Sequence, residues 1–286
     1  MTHIFRVCND HTIRPLSRLG QGDIARKGRK SGLFSLGLAM LVATTACHRQ
    51  PPAPTNQDAA NSQTSAELIQ EADSLYAGRE DPMKVARAIV DLRRAAMTDG
   101  GNYDVAWRLA RLNYYLGSHS TDVAVREKAF REGIQAGMLA VKLQDGKPEG
   151  HFWLGANYGG SAQDSMLSGL SEVEDIRREM ETVIRLDERY QSGSAYMVLG
   201  QTYLEAPLLL GGDRYKAVDY LEKSLRFGPT NALARFHLAE AYLAVNRKDD
   251  ARKQVEALFA MKPDPDFTPE HNDAVAQARK LQEKLK

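Results

Sequence analysis

Apolar residues recur along this chain three and four apart, the interval of one helical face, from about residue 66 to residue 285. The pattern is sharpest over 196–263. There Leu238-Ala239 is followed by Tyr242, then Ala251, Val255 and Pro263. One copy earlier, Leu199-Gly200 is followed by Tyr203, then Ala217, Leu221 and Pro229. A large, a small and an aromatic side chain thereby share one face of a first helix. Ala217 and Ala251 mark where the second helix of each pair crosses closest, and the proline turns the chain out toward the next element. The later halves of the two copies lie 34 residues apart. A single pair of such helices cannot bury its own apolar face, so the units must stack and share a core.

That period and spacing resemble the tetratricopeptide (TPR) repeat. The expected fold is all-α, a TPR-like α-solenoid of four to five helix pairs with a C-terminal capping helix. Upstream copies are looser. Residues 66–77 and 83–97 predict a first pair that ends at Asp99-Gly100-Gly101. Trp107, Ala110 and Tyr114 open a second, which stops at Gly146. His151, Leu154-Gly155 and Tyr158 open a third, whose second helix runs through Ile176, Met180 and Val183. An amphipathic segment over 269–285 reads as a solvating cap.

Two spacings are long: 18 residues from Tyr158 to Ile176 and 14 from Tyr203 to Ala217, against nine from Tyr242 to Ala251. Insertions in a repeat array are expected as loops on one face, often the binding face. The second insert carries Leu208, Leu209 and Leu210 between Pro207 and Gly211. Three leucines in such a loop are expected to be buried, under their own repeats or against a partner.

The first 46 residues are of another kind. They hold seven Lys/Arg against Asp10 and Asp23, a net +5 beside the whole chain's +1, so the rest carries about −4. A mildly acidic body argues against nucleic acid as a partner. The basic run 26–30 precedes an apolar stretch, 32–43, too short for a confident membrane span, and then Thr44-Thr45-Ala46-Cys47. This order reads as an export signal, and the Ala46-Cys47 junction resembles a bacterial lipobox with Cys47 lipidated. Thr44 departs from the leucine usual there. Ordinary cleavage nearby and an uncleaved anchor stay open. His48 after the cysteine points to the outer membrane, with an exported soluble form as the alternative. The expected organisation is an export segment (1–47), a proline-bearing polar tether (48–65) and a repeat domain (66–286). Cys8 and Cys47 are the only cysteines, so the body can hold no disulfide and no cysteine-based metal site.

No catalytic signature is present: no Gly-rich phosphate loop, no His-Glu-x-x-His, no Gly-x-Ser-x-Gly. Gln191-Ser192-Gly193-Ser194 reads as a helix N-cap. His151 and His237 lack partners at ligand spacing and read as ordinary helix residues. The chain is therefore expected to be no enzyme and to need no cofactor or metal. What the repeats can offer is a concave groove, for which Arg108, Tyr115, Phe152, Met197, Gln201 and Phe236 are the candidate lining. Leu208, Leu209 and Leu210 would add a secondary contact. The Lys/Asn/Arg set by which chaperone-binding TPR domains clamp a carboxylate is missing.

One long run is more specific than TPR spacing. It reads Glu149-Gly150-His151-Phe152-Trp153-Leu154-Gly155-Ala156-Asn157-Tyr158-Gly159-Gly160, then Gly193-Ser194-Ala195-Tyr196-Met197-Val198-Leu199-Gly200-Gln201-Thr202-Tyr203 and Leu210-Gly211-Gly212-Asp213. This resembles the periplasmic TPR lipoproteins grouped with the T-component of TRAP transporters. The resemblance implies a lipid-anchored helical protein that self-assembles and partners a periplasmic solute-binding protein. In that family such partners hand a hydrophobic or organic-acid ligand to a permease. From the residues alone, the leading expectation is a protein-binding scaffold. The alternative is a carrier of a small hydrophobic ligand, with a closed cavity lined by Trp153, Tyr158 and Leu208–Leu210.

Overall fold

A computed structural model describes residues 63–164 and 169–285. Over these residues the chain is helical, with no strand among them. The first pair is α1 (Ser65–Ala77) with α2 (Pro82–Thr98), and the second is α3 (Tyr103–His119) with α4 (Val123–Leu143). The third is α5 (Pro148–Asp164) with α6 (Gly169–Leu186), and the fourth α7 (Tyr190–Glu205) with α8 (Arg214–Phe227). The fifth is α9 (Ala232–Ala244) with α10 (Lys248–Ala260), followed by α11 (Thr268–Lys284). Short 3-10 turns cover Leu208–Leu210 and Pro265–Phe267. This is the expected all-α, TPR-like solenoid. The export segment, Cys47 and residues 48–62 of the tether lie outside the described residues.

Local chemistry sets where the helices begin. Thr64 and Glu67 form a reciprocal cap on α1: the Glu67 N–H donates to Thr64 Oγ1, and the Thr64 N–H donates to Glu67 Oε2 at 2.7 Å. Asp81 precedes Pro82 at the start of α2, where a missing N–H costs nothing. Asn102, Asp122, Asp213 and Asn231 cap α3, α4, α8 and α9 with side-chain oxygens.

Between helices the repeat spacing does what it predicts. Ala217 and Leu221 of α8 are fully buried against α7, and a Cβ at Gly200 would lie 2.5 Å from Leu221 Cγ. The small residue therefore permits the close crossing. Asn157 of α5 is buried and donates from Nδ2 to the Ala110 carbonyl of α3 and to the Trp153 carbonyl. His151 links the halves of pair three, with Nδ1 at 2.7 Å from Glu179 Oε2 and Nε2 at 2.9 Å from the Asp145 carbonyl. Burial alone would lower its pKa, but the Glu179 and Asp145 contacts outweigh burial and hold it above the ordinary histidine value.

The two inserts differ from one another. The first is helical where a loop was expected: α5 continues to Asp164 and α6 has begun by Gly169. The missing side chain of Gly160 leaves room for the Phe130 ring, so the helix passes α4 without a break. The second insert is a surface turn. Leu208 and Leu209 are 87% and 97% exposed, so these two leucines do not pack under their own repeats, while Leu210 is half-buried. The turn satisfies its own backbone instead. Gly212 N–H donates to the Pro207 carbonyl, Asp213 N–H to that of Tyr203, and Arg177 Nη2 to those of Leu210 and Gly211.

The last segment does more than solvate an end. One flank of α11 buries Ala274, Ala278 and Leu281, while its start reaches back to the first pair. Arg79, only 4% exposed, donates from Nε and Nη2 to the two Glu270 carboxylate oxygens at 3.1 and 2.6 Å. The same Nη2 donates to the Asp266 carbonyl at 2.7 Å. First and last elements therefore meet across the inner side of the repeats.

Candidate functional site

Beside the contact between Arg79 and Glu270 of α11 lies a cavity of about 190 Å³, lined in part by Glu270. Its walls come from the first helices of successive pairs, because their helical faces point the same way when the pairs stack. α3 supplies Tyr114, Tyr115 and His119; α5 supplies Phe152 and Trp153; α7 supplies Met197 and Gln201. His237 and Glu240 project from α9, and α11 with the turn before it adds Phe267, Glu270, His271 and Asp273.

The aromatic wall is tightly ordered. Phe152 meets Trp153 edge-on at 5.0 Å between ring centres, and Tyr114 lies 5.7 Å from Trp153. Tyr115 stacks on His119 at 3.9 Å. Burial pushes the Tyr115 hydroxyl above the ordinary phenol range, and the Glu270 and Asp273 carboxylates add to that, so it is a neutral phenol at any physiological pH. Opposite it, His119 Nε2 is 3.6 Å from Asp273 Oδ2, and His237 Nδ1 is 3.0 Å from Glu240 Oε2.

The floor contains the least ordinary backbone of the chain. Gln191, Ser192 and Gly193 have φ of 49°, 55° and 72°, three successive residues in the left-handed region, and the first two face the cavity. The expected N-cap is instead this left-handed turn. Ser224 Oγ donates to the Gly193 carbonyl and Ser194 Oγ to that of Gln191. A Cβ on Gly193 would lie 3.0 Å from Phe227 Cβ. Packing thus over-determines a conformation that L-residues avoid, a circumstance common at binding sites.

Of the groove candidates, Tyr115, Phe152, Met197 and Gln201 line this cavity together. Arg108 and Phe236 do not. Arg108 is tied to Asp73 and Asp104 and lies over the Trp107 ring, holding α3 to α1. Phe236 is a core residue beside His237. Trp153 lines the cavity as the carrier alternative expected, but Tyr158 and Leu208–Leu210 are not among its walls. His151 is structural, while His237 faces the cavity. Sequence reasoning missed Tyr114, His119, Glu240 and the whole α11 contribution. The Pro265-Asp266-Phe267-Thr268-Pro269 break was a signal that the chain turns before α11, but nothing in it says toward what.

Among the described residues no cluster of His, Cys, Asp or Glu has the arrangement of a metal site, and no helix is long and apolar enough to cross a membrane. A model of the TRAP transporter T-component family matches residues 112–286. The chain belongs to that family. Every cavity-lining residue except Tyr76 falls within the matched segment. Two solved structures share the fold. A thermophilic TPR protein of Thermus thermophilus, TTC0263, is 21% identical with a TM-score of 0.56, covering 74% of this chain and all of that one. PilF of Pseudomonas aeruginosa is 16% identical with a TM-score of 0.51, covering 77% of this chain and 93% of that one. No curated protein matches the sequence. Membership and fold together support a protein-interaction scaffold.

Proposed function

We propose that this chain is a non-enzymatic TPR accessory of TRAP-type solute uptake, exported to the periplasm and held to the outer membrane through lipid on Cys47. It would partner a periplasmic solute-binding protein and associate with further copies of itself. The observation that carries this reading is the family match, which runs from within α3 through the last three pairs and the closing helix. The exposed Leu208 and Leu209, on a turn fixed by Arg177, offer that partner an apolar contact.

A second reading, a small-ligand carrier, is favoured by one specific observation: α11 and the first helices of the pairs line a common cavity of about 190 Å³. The two are compatible if the ligand is passed between the partner and this chain.

The test is a crosslinked pull-down from intact cells with a tag after Lys286, read by mass spectrometry. A periplasmic solute-binding protein among the captured chains is the expected result. Capture of envelope-assembly proteins, or of this chain alone, would remove the transport assignment and leave the scaffold. Cys47→Ser should release the protein from the membrane fraction; continued sedimentation with membranes would remove the lipid anchor.

A further inference from the structure

The chemistry of the cavity narrows what it can hold, on the carrier reading above. Four carboxylates line it, Glu240, Asp264, Glu270 and Asp273, and no lysine or arginine does. Arg79, just behind the wall, neutralises Glu270. Asp264 serves the backbone, accepting from the Asp266 N–H. That leaves Glu240 and Asp273, each within reach of a histidine, His237 at 3.0 Å and His119 at 3.6 Å, and of no lysine or arginine among the lining residues. An anion entering here would meet carboxylates and no lysine or arginine among the lining residues.

Helix dipoles oppose this, so they must be weighed. The N-termini of α9 and α11 open toward the cavity, and each is equivalent to about half a positive charge that fades within a turn. At α9 the Asn231 side chain already accepts from the Ala234 N–H. At α11 no side chain caps the first turn, which carries Glu270. Two full carboxylate charges exceed what is left.

The remaining wall is aromatic. Phe152, Trp153 and Phe267 line the cavity, and among the described residues no arginine or lysine stacks on them, whereas Tyr76 is covered by both Arg79 and Arg111. Aromatic rings beside carboxylates, with no lysine or arginine in the lining, suit an ammonium group with an apolar body.

We propose that the cavity binds a small organic cation, an aryl- or alkylammonium compound, with its charge toward Glu240 and Asp273 and its apolar part against Phe152 and Trp153. This departs from the organic-acid ligand that the resemblance implies.

The experiment is calorimetric titration of the full purified chain at pH 7.5 with phenethylamine, and with 3-phenylpropionate as an anion of similar size. Phenethylamine should bind at least tenfold more tightly. The Glu240→Gln/Asp273→Asn double variant should lose about tenfold in amine affinity while its circular dichroism and Tm stay near the parent's. Glu240→Gln alone, at a half-exposed site, should show a smaller loss in the same direction should the double variant fail to fold. Equal or tighter binding of the carboxylate, no binding of either compound, or unchanged amine affinity in a folded variant would each overturn the proposal. Partner capture in the pull-down is read separately, so failure of the transport assignment and failure of this ligand class are distinguishable.

Discussion

α11 is joined to the rest of the protein in two places by different forces. Along its flank, Ala274, Ala278 and Leu281 are buried in the same core as α9 and α10. At its start it meets the first pair through Arg79–Glu270 and the second through the longer His119–Asp273 contact, where Glu270 and Asp273 each keep 27% of their side-chain surface exposed. Burying a leucine contributes about 1.5–3 kcal/mol, whereas an ion pair with a hydrated partner contributes about 0–1 kcal/mol. The same helix is therefore fixed at one joint and weakly held at the other, and the weak joint is the wall of the cavity.

The sharpest way to break that comparison is to weaken each joint in turn. Leu281→Ala should cost about 2–4 kcal/mol in urea denaturation, because the cavity it leaves cannot fully collapse. On the opposite wall, Gly193→Ala should cost about 1–2 kcal/mol, since alanine at φ +72° pays the left-handed penalty. Arg79→Met should cost about 1 kcal/mol globally yet speed amide exchange over 264–273 well beyond other segments, as expected for local opening. Uniform exchange after Arg79→Met, or a cost matching that of Leu281→Ala, would mean the two joints are equivalent.

The same contrast explains what could be read from the chain. Joints made of apolar and small residues were legible, because Leu199-Gly200, Tyr203, Ala217 and Leu221 meet through spacing alone, within one pair. The Arg79–Glu270 contact joins residues 191 apart, and no periodicity connects them. Four groove candidates lie in the cavity because the inner face of a first helix follows from the repeat. Arg108 and Phe236 have the right positions along their helices but neighbours that claim them, Asp73 and Asp104 for the first and the core for the second. Of the two fates open to Leu208 and Leu209, packing under their own repeats is excluded, because Arg177 and the turn's own carbonyls hold the loop at the surface.

The smallest expected effect separates a third kind of joint, a charged contact buried inside a pair. His151 and Glu179 are both buried, unlike the pair at Arg79, so their mutual charge is poorly screened by solvent. The folded pKa of His151 is raised by Glu179 and the Asp145 carbonyl against the opposing effect of burial. The folded state thus binds this proton more tightly than the unfolded one. The resulting stabilisation is complete below the unfolded histidine value, near pH 6.5, and is lost as pH rises through the raised folded value. Urea midpoints of the parent should therefore fall more between pH 5.5 and 8.5 than those of His151→Gln, which keeps a donor for Glu179 without a titrating charge. Parallel curves for the two proteins would make His151 neutral throughout, and pair three would then be held, like the flank of α11, by packing alone.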